Sequence, residues 1–281
     1  VHIALMHNGK ILIVSGSGND PNNHNLRAGV WDPATGITTT QTISWDMFCN
    51  GMAVLPDGRP FIDGGTLQYD PFYGLRKSAA FDPNTNTFTD LPDMAHGRWY
   101  PTVTVLGDGR VMAFSGLGDP NAGTNSAVEI YTPGTGWSAE DVANWVPPLY
   151  PRMHLLPSGK VFYSGPTTTS KLYDPNTQVW SNVGNTKYSS SRTYGSSVLF
   201  PLTPANSYKP KVIIFGGGSP STATTEVIDL SAANPSWSFG PNMSQPRIEM
   251  NATMLPNGKI LAIGGSYNDE DLGTASLNAD L

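Results

Sequence analysis

A unit of about fifty residues recurs along this chain, and that recurrence constrains the fold more than any single motif. HNGKILIVSG at 7–16 returns as PDGRPFIDGG at 56–65, GDGRVMAFSG at 107–116, PSGKVFYSGP at 157–166 and PNGKILAIGG at 256–265. The turn glycines Gly9, Gly58, Gly109, Gly159 and Gly258 are spaced by 49, 51, 50 and 99 residues, the last interval being two periods. The absent member falls at 198–217, where VLFPLTPANSYKPKVIIFGG exchanges the tight turn for a longer loop rich in proline and asparagine. Six units are expected.

Each unit sets an X-Gly dipeptide between two apolar runs, the commonest short signal of a β-hairpin. A second hairpin follows at VWDPATG (30–36), AFDPNTNTF (80–88), IYTPGTGW (130–137) and LYDPNTQVW (172–180), with a degenerate copy, VIDLSAANPSW, at 227–237. Two hairpins per unit predict a four-stranded antiparallel sheet, and no helical periodicity of useful length interrupts them. The expected fold is all-β, a kelch-type β-propeller with one blade per unit across residues 1–281. The sixth unit reaches Leu281 before its second hairpin, so a further blade is expected beyond it.

Charged residues make up only 14% of the chain, against roughly 25% in ordinary soluble domains. With Gly 30 and Pro 24, that balance suits a turn-rich, weakly charged surface of the kind many secreted proteins carry. A net charge of -6 supplies no basic stripe for phosphates, which excludes nucleic acid as the expected partner. No run approaches the ~20 apolar residues of a membrane-spanning helix. The single cysteine rules out an internal disulfide.

The repeat also says which residues stand at equivalent places. Nine positions before the turn glycine lie Cys49, Tyr100, Tyr150 and Glu249; matching SRTYGSSVL to GRWYPTVTV adds Tyr194. Superposed units would bring these five to one end of the innermost strands, with Cys49 and Tyr100 as neighbours across adjacent blades. On spacing alone, Cys49 reads most simply as a small buried hydrophobe, and the tyrosines as filling for the propeller's throat. A covalent Cys49–Tyr100 pair is the chemical alternative.

Three stretches bear on that choice. MFCNGMAVLPDGR, GRWYPTVTVLGDGRV and LYPRMHLLPSGKVFYSGP together resemble the galactose oxidase and glyoxal oxidase family of copper radical oxidases. The resemblance implies that Cys49 and Tyr100 are joined by a thioether, and that Tyr100 also ligates copper. It implies oxidation of a small alcohol or aldehyde by O2, with release of hydrogen peroxide. Copper and the self-made cofactor would carry the redox step while the protein positions the substrate. The family's remaining ligands, a Tyr-His pair in a later blade and a histidine in a C-terminal β domain, have no counterpart here. They are expected beyond Leu281.

Other residues are weaker candidates. Trp99 could cover the Tyr100 ring or simply pack between blades. Arg152, Tyr150, Tyr194 and Glu249 could meet substrate or stand behind the residues that do. The five histidines show no ligand spacing, and His154 reads as an interior residue. There is no P-loop, G-x-S-x-G elbow or dinucleotide fingerprint. The alternative to an oxidase is a non-catalytic kelch propeller binding a glycan or protein partner through its blade loops.

Overall fold

The turns that the repeat predicts all form. In the computed structural model, which describes residues 1–281, the five turn glycines have φ between +79° and +87°. Each donates its amide to the carbonyl three residues earlier, at 2.9–3.0 Å. A Cβ is disfavoured at such a φ, which is why glycine recurs there.

The chain divides into two units, Val1–Pro151 and Arg152–Leu281. The first holds three antiparallel sheets, the blades expected from the repeat. Blade one pairs His2–Leu5, Ile11–Gly16, Arg27–Asp32 and Ile37–Thr42 in that order. Blade two runs from Gly51–Val54 through Pro60–Asp63 and Ser78–Asp82 to Thr87–Leu91. Between its second and third strands it carries an extra hairpin, Thr66–Gln68 with Tyr73–Gly74. Blade three is Thr102–Val105, Val111–Phe114, Ala127–Thr132 and Gly136–Trp137, and Asp141–Val142 adds a fifth strand. Neither the hairpin nor the fifth strand is signalled by the repeat.

The second unit holds blade four, Met153–Leu155, Val161–Tyr163, Thr169–Asp174 and Val179–Asn185, and blade five, Ser196–Leu199, Lys211–Phe215, Thr225–Asp229 and Trp237–Phe239. The loop expected at 200–210 is present and includes a short 3-10 turn, Pro204–Asn206. Blade six is the hairpin Asn251–Met254 with Ile260–Ile263, plus a bridge from Ala262 to Asp280. No helix is long and apolar enough to cross a membrane.

The second strands of blades two, three and four are buried on both faces: every residue of Pro60–Asp63, Val111–Phe114 and Val161–Tyr163 is enclosed. Apolar layers between blades do this. Leu12, Val14, Val30 and Met47 meet Ile62 and Phe81, and Leu55 and Phe61 meet Val111 and Tyr131. In the second unit Phe162, Val212, Ile214 and Trp237 form the equivalent layer. Truncating a buried aromatic such as Phe61 or Trp237 to alanine costs about 3–5 kcal/mol.

A polar device repeats as well. Arg98, Arg192 and Arg247 are fully buried, each two residues before a register position. Arg98 bonds Glu129 at 2.7 Å, Arg192 bonds Glu226 at 2.8 Å and Arg247 bonds Asp280 at 2.6 Å. The same guanidiniums donate to carbonyls at the strand ends: Ser115 and Ala127, Gly216 and Thr224, Gly264 and Asn278. The repeated glycines after the second strand admit this crossing. A Cβ on Gly64, at φ +69°, would run into the Arg98 carbonyl.

Candidate active site

All five register residues adopt the left-handed backbone that L-residues avoid: Cys49 at φ +61°, Tyr100 at +65°, Tyr150 at +45°, Tyr194 at +54° and Glu249 at +56°. Such a conformation costs about 1–2 kcal/mol per residue and persists only where the surroundings impose it. Blade-to-blade hydrogen bonds impose it here. The Tyr100 amide donates to the Cys49 carbonyl at 2.9 Å, and the Tyr150 amide to the Tyr100 carbonyl at 3.0 Å. In the second unit the Glu249 amide donates to the Tyr194 carbonyl at 2.8 Å.

Within the first unit, side chains converge on Tyr100. Trp99 stacks on its ring at 3.7 Å between centroids and 9° between planes. Tyr150 stacks on it at 4.3 Å and 22°. Rings this close and nearly parallel occupy opposite faces, so Tyr100 is held between them. Phe72, from the extra hairpin, extends the stack beyond Trp99 at 4.3 Å. Tyr69, on the same hairpin, packs against Phe72 and Phe48 and hydrogen-bonds the Ser17 hydroxyl.

Cys49 is buried, with its thiol in hydrogen-bonding reach of the Tyr100 hydroxyl. Burial pushes the thiol up to about 12, and the bond from Tyr100 offsets only part of that. A thiol so placed stays protonated and is inert toward ordinary thiolate chemistry. Tyr150 donates its hydroxyl to the Asn50 carbonyl at 3.1 Å. Burial raises its phenol well above the ordinary value, helped by Cys49, Tyr100 and Asp63.

Two neighbours escaped the sequence reading. His2 packs against Tyr150 at 5.6 Å, and burial lowers its imidazole to about 4. Asp63 is completely enclosed, and neither carboxylate oxygen makes a well-formed hydrogen bond. Burial lifts it to about 7, against the pull of the Arg98 charge. The repeat did carry a signal for Asp63: counted from the turn glycine it holds the place of Val14, Phe114 and Ser164, so a carboxylate there departs from the other blades.

The remaining candidates lie in the second unit. Tyr194 is 46% exposed. Glu249 is exposed, and partial burial together with Asp269 raises its carboxyl. The Arg152 guanidinium does not reach into solvent: Nη1 donates to the carbonyls of Arg192 and Gly195, while Nε and Nη2 are shut away. Burial brings it down to about 10. His154 bonds Ser197 at 2.5 Å, and burial holds it near 4, an interior residue as expected. His96 pairs with Asp119 at 2.7 Å on the surface.

No group of three or more His, Cys, Asp or Glu side chains converges as a metal cage. The donor chemistry on hand is a phenol beside a thiol. It fits the tyrosine half of a copper–tyrosine centre and supplies no imidazole.

Residues 17–278 match the family profile described as glyoxal oxidase N-terminus. The chain belongs to the glyoxal oxidase N-terminal family. It is 25% identical over 264 residues to a galactose oxidase of Gibberella zeae, covering 84% of this chain and 37% of that protein. It is 28% identical over 252 residues to the aldehyde oxidase GLOX of Vitis pseudoreticulata, covering 79% and 45%. The chain thus spans less than half the length of these relatives. A fungal alcohol oxidase of the AA5 family, solved in complex with copper, superposes with a TM-score of 0.83 at 20% identity, over 99% of this chain and 61% of that one. That likeness establishes the β-propeller fold.

Proposed function

We propose that this chain is the propeller part of a secreted copper radical oxidase that converts a small primary alcohol or aldehyde hydrate with O2. The observation that carries the reading is the Cys49 thiol at the Tyr100 hydroxyl, with Tyr100 between Trp99 and Tyr150. Tyr100 would hold the metal through its phenol oxygen, and further ligands would come from chain beyond Leu281. Copper, when bound, supplies a one-electron redox partner beside the phenol.

The residues of the chain account for the rest. A sulfur substituent ortho to the phenol oxygen makes the Tyr100 ring easier to oxidise. Trp99 and Tyr150 keep water off its two faces, so an oxidised ring survives long enough to react. The left-handed backbone and interblade hydrogen bonds fix the ring without reorganisation. Two electrons and two protons leave the alcohol carbon and hydroxyl, giving the aldehyde; O2 accepts both pairs and departs as hydrogen peroxide.

Proteolysis and mass mapping of the full-length protein test the reading. The Cys49 and Tyr100 peptides should be found joined and lighter by two hydrogens after exposure to Cu(II) and O2. Separate peptides with a free Cys49 thiol after that treatment would favour a propeller that binds partners without redox chemistry.

A further inference from the structure

Tyr150 holds both halves of the Cys49–Tyr100 pair at once. Its amide donates to the Tyr100 carbonyl at 3.0 Å. Its ring lies along Tyr100 at 4.3 Å. Its hydroxyl reaches back over two blades to the Asn50 carbonyl at 3.1 Å, one residue past Cys49. The Asn50 side chain then turns to the Met47 carbonyl at 2.6 Å, closing the loop that presents the cysteine. The next residue, Gly51, has no room for a side chain: a Cβ would meet Asp63 Oδ1 and Val103 Cγ2, both at 2.6 Å. The loop carrying Cys49 is therefore pinned on both sides, and Tyr150 is the pin that also touches Tyr100.

We propose that Tyr150 is the positioning residue for thioether formation: through its hydroxyl and ring it sets the Cys49 sulfur against the ortho carbon of Tyr100. This rests on the copper oxidase reading and adds a named residue to it. In the coupling, the Cys49 S–H bond and the Tyr100 ring C–H bond ortho to the hydroxyl break, and one S–C bond forms. The two electrons and two protons released pass to O2 as hydrogen peroxide, with copper as mediator. Tyr150 takes no part in that balance. It shortens the search by removing conformations in which sulfur and ring carbon face apart. Burial favours its protonated form, so the hydroxyl remains a donor.

The experiment follows cross-linking itself, not turnover. Full-length protein made without copper is mixed with Cu(II) and O2, and loss of two hydrogens is timed by intact mass and peptide mapping. Tyr150→Phe keeps the stacked ring and loses the hydrogen bond, and it should slow coupling about 5-fold, the rate equivalent of one buried hydrogen bond. Tyr150→Met also removes the stack and should slow it further. Tyr163→Phe, which loses a phenol contact with Thr167 at 2.9 Å in blade four, should lose stability without changing the coupling rate. Coupling at the wild-type rate in Tyr150→Phe, or equal slowing in Tyr163→Phe, overturns the positioning role and leaves the oxidase reading standing. Failure of the wild-type protein to couple overturns both. Should Tyr150→Phe not fold, the Met variant and the wild-type control still decide between these outcomes.

Discussion

The register positions of the two units share a backbone and differ in nearly everything else. Tyr100 and Tyr194 have φ of +65° and +54°, stand two residues after a buried arginine, and each takes part in an interblade amide hydrogen bond within its own unit. Tyr100 is held between two rings with a thiol at its hydroxyl, whereas Tyr194 is 46% exposed. Glu249, next in the second unit, is exposed as well. The repeat therefore builds the same left-handed turn at five positions and the arginine staple at three, and particular side chains make one stretch the candidate site. Function is placed on a fold that does not by itself require it.

If that separation holds, breaking the scaffold should hurt both units alike. Glu129→Ala and Glu226→Ala each strand a buried guanidinium and leave backbone amides without their acceptor, Ala95 in one case and Lys187 and Tyr188 in the other. Each should cost about 3–5 kcal/mol, the usual penalty for removing one partner of a buried ion pair. Urea or guanidinium unfolding would show it. A large loss at Glu129 with little at Glu226 would mean that the two staples are not equivalent and that the second unit folds without relying on its own.

The staple was legible in principle. Arginine stands two positions before the register residue in GRWY, SRTY and PRIE, and its carboxylate follows 31, 34 or 33 residues later. The spacing is hidden because the partner sits on the third strand, past loops of unequal length. Turn glycines were easier to read: hairpin geometry demands φ > 0 at one residue, and only the sequence has to supply it. The same regularity put Cys49 beside Tyr100, by counting back from a fixed turn. Phe72 and Tyr69 were not legible, because their hairpin occurs once and no period announces it. Arg152 shows the opposite failure. Its place two residues after a register tyrosine suggested that it meets substrate or stands behind the residues that do; its guanidinium is turned onto the carbonyls of Arg192 and Gly195, away from solvent.

Asp63 offers a finer test, since a charged residue stands at this place of the repeat only in the unit that holds the candidate site. Its folded value near 7 lies above the unfolded value near 3.8, so the folded state binds the extra proton between those limits. Its contribution to stability should be greatest below about pH 4, fall as pH rises toward 7, and then level off. The loss is on the order of a few kcal/mol. His2 and His154, depressed to about 4, act in the opposite direction and lose stability as pH falls from 6.5. Asp63→Ser puts in the residue that blade four carries at this place, Ser164. It should raise stability at pH 8 by about 2 kcal/mol and leave stability near pH 4 much less changed, so that the difference from the wild type grows between pH 4 and 7. Thermal unfolding across that range measures both, and an unchanged slope would show that Asp63 is ionised and solvated in the native protein.

The smallest effect is expected where the scaffold stands without a site. Tyr194→Asn replaces a left-handed tyrosine by the residue that best tolerates that backbone after glycine. Relief of strain favours the variant, and loss of the partly buried ring opposes it. The net change should stay within about 1 kcal/mol. Tyr100→Asn makes the same exchange at nearly the same φ but removes a ring stacked on both faces, each such pair being worth about 0.5–1.5 kcal/mol beyond its buried area. Its cost should exceed that of Tyr194→Asn several-fold. Paired denaturant melts give the ratio. A ratio near one would mean that the stack around Tyr100 contributes no more to folding than an exposed side chain does, and that its rings are held in place by the backbone ladder alone.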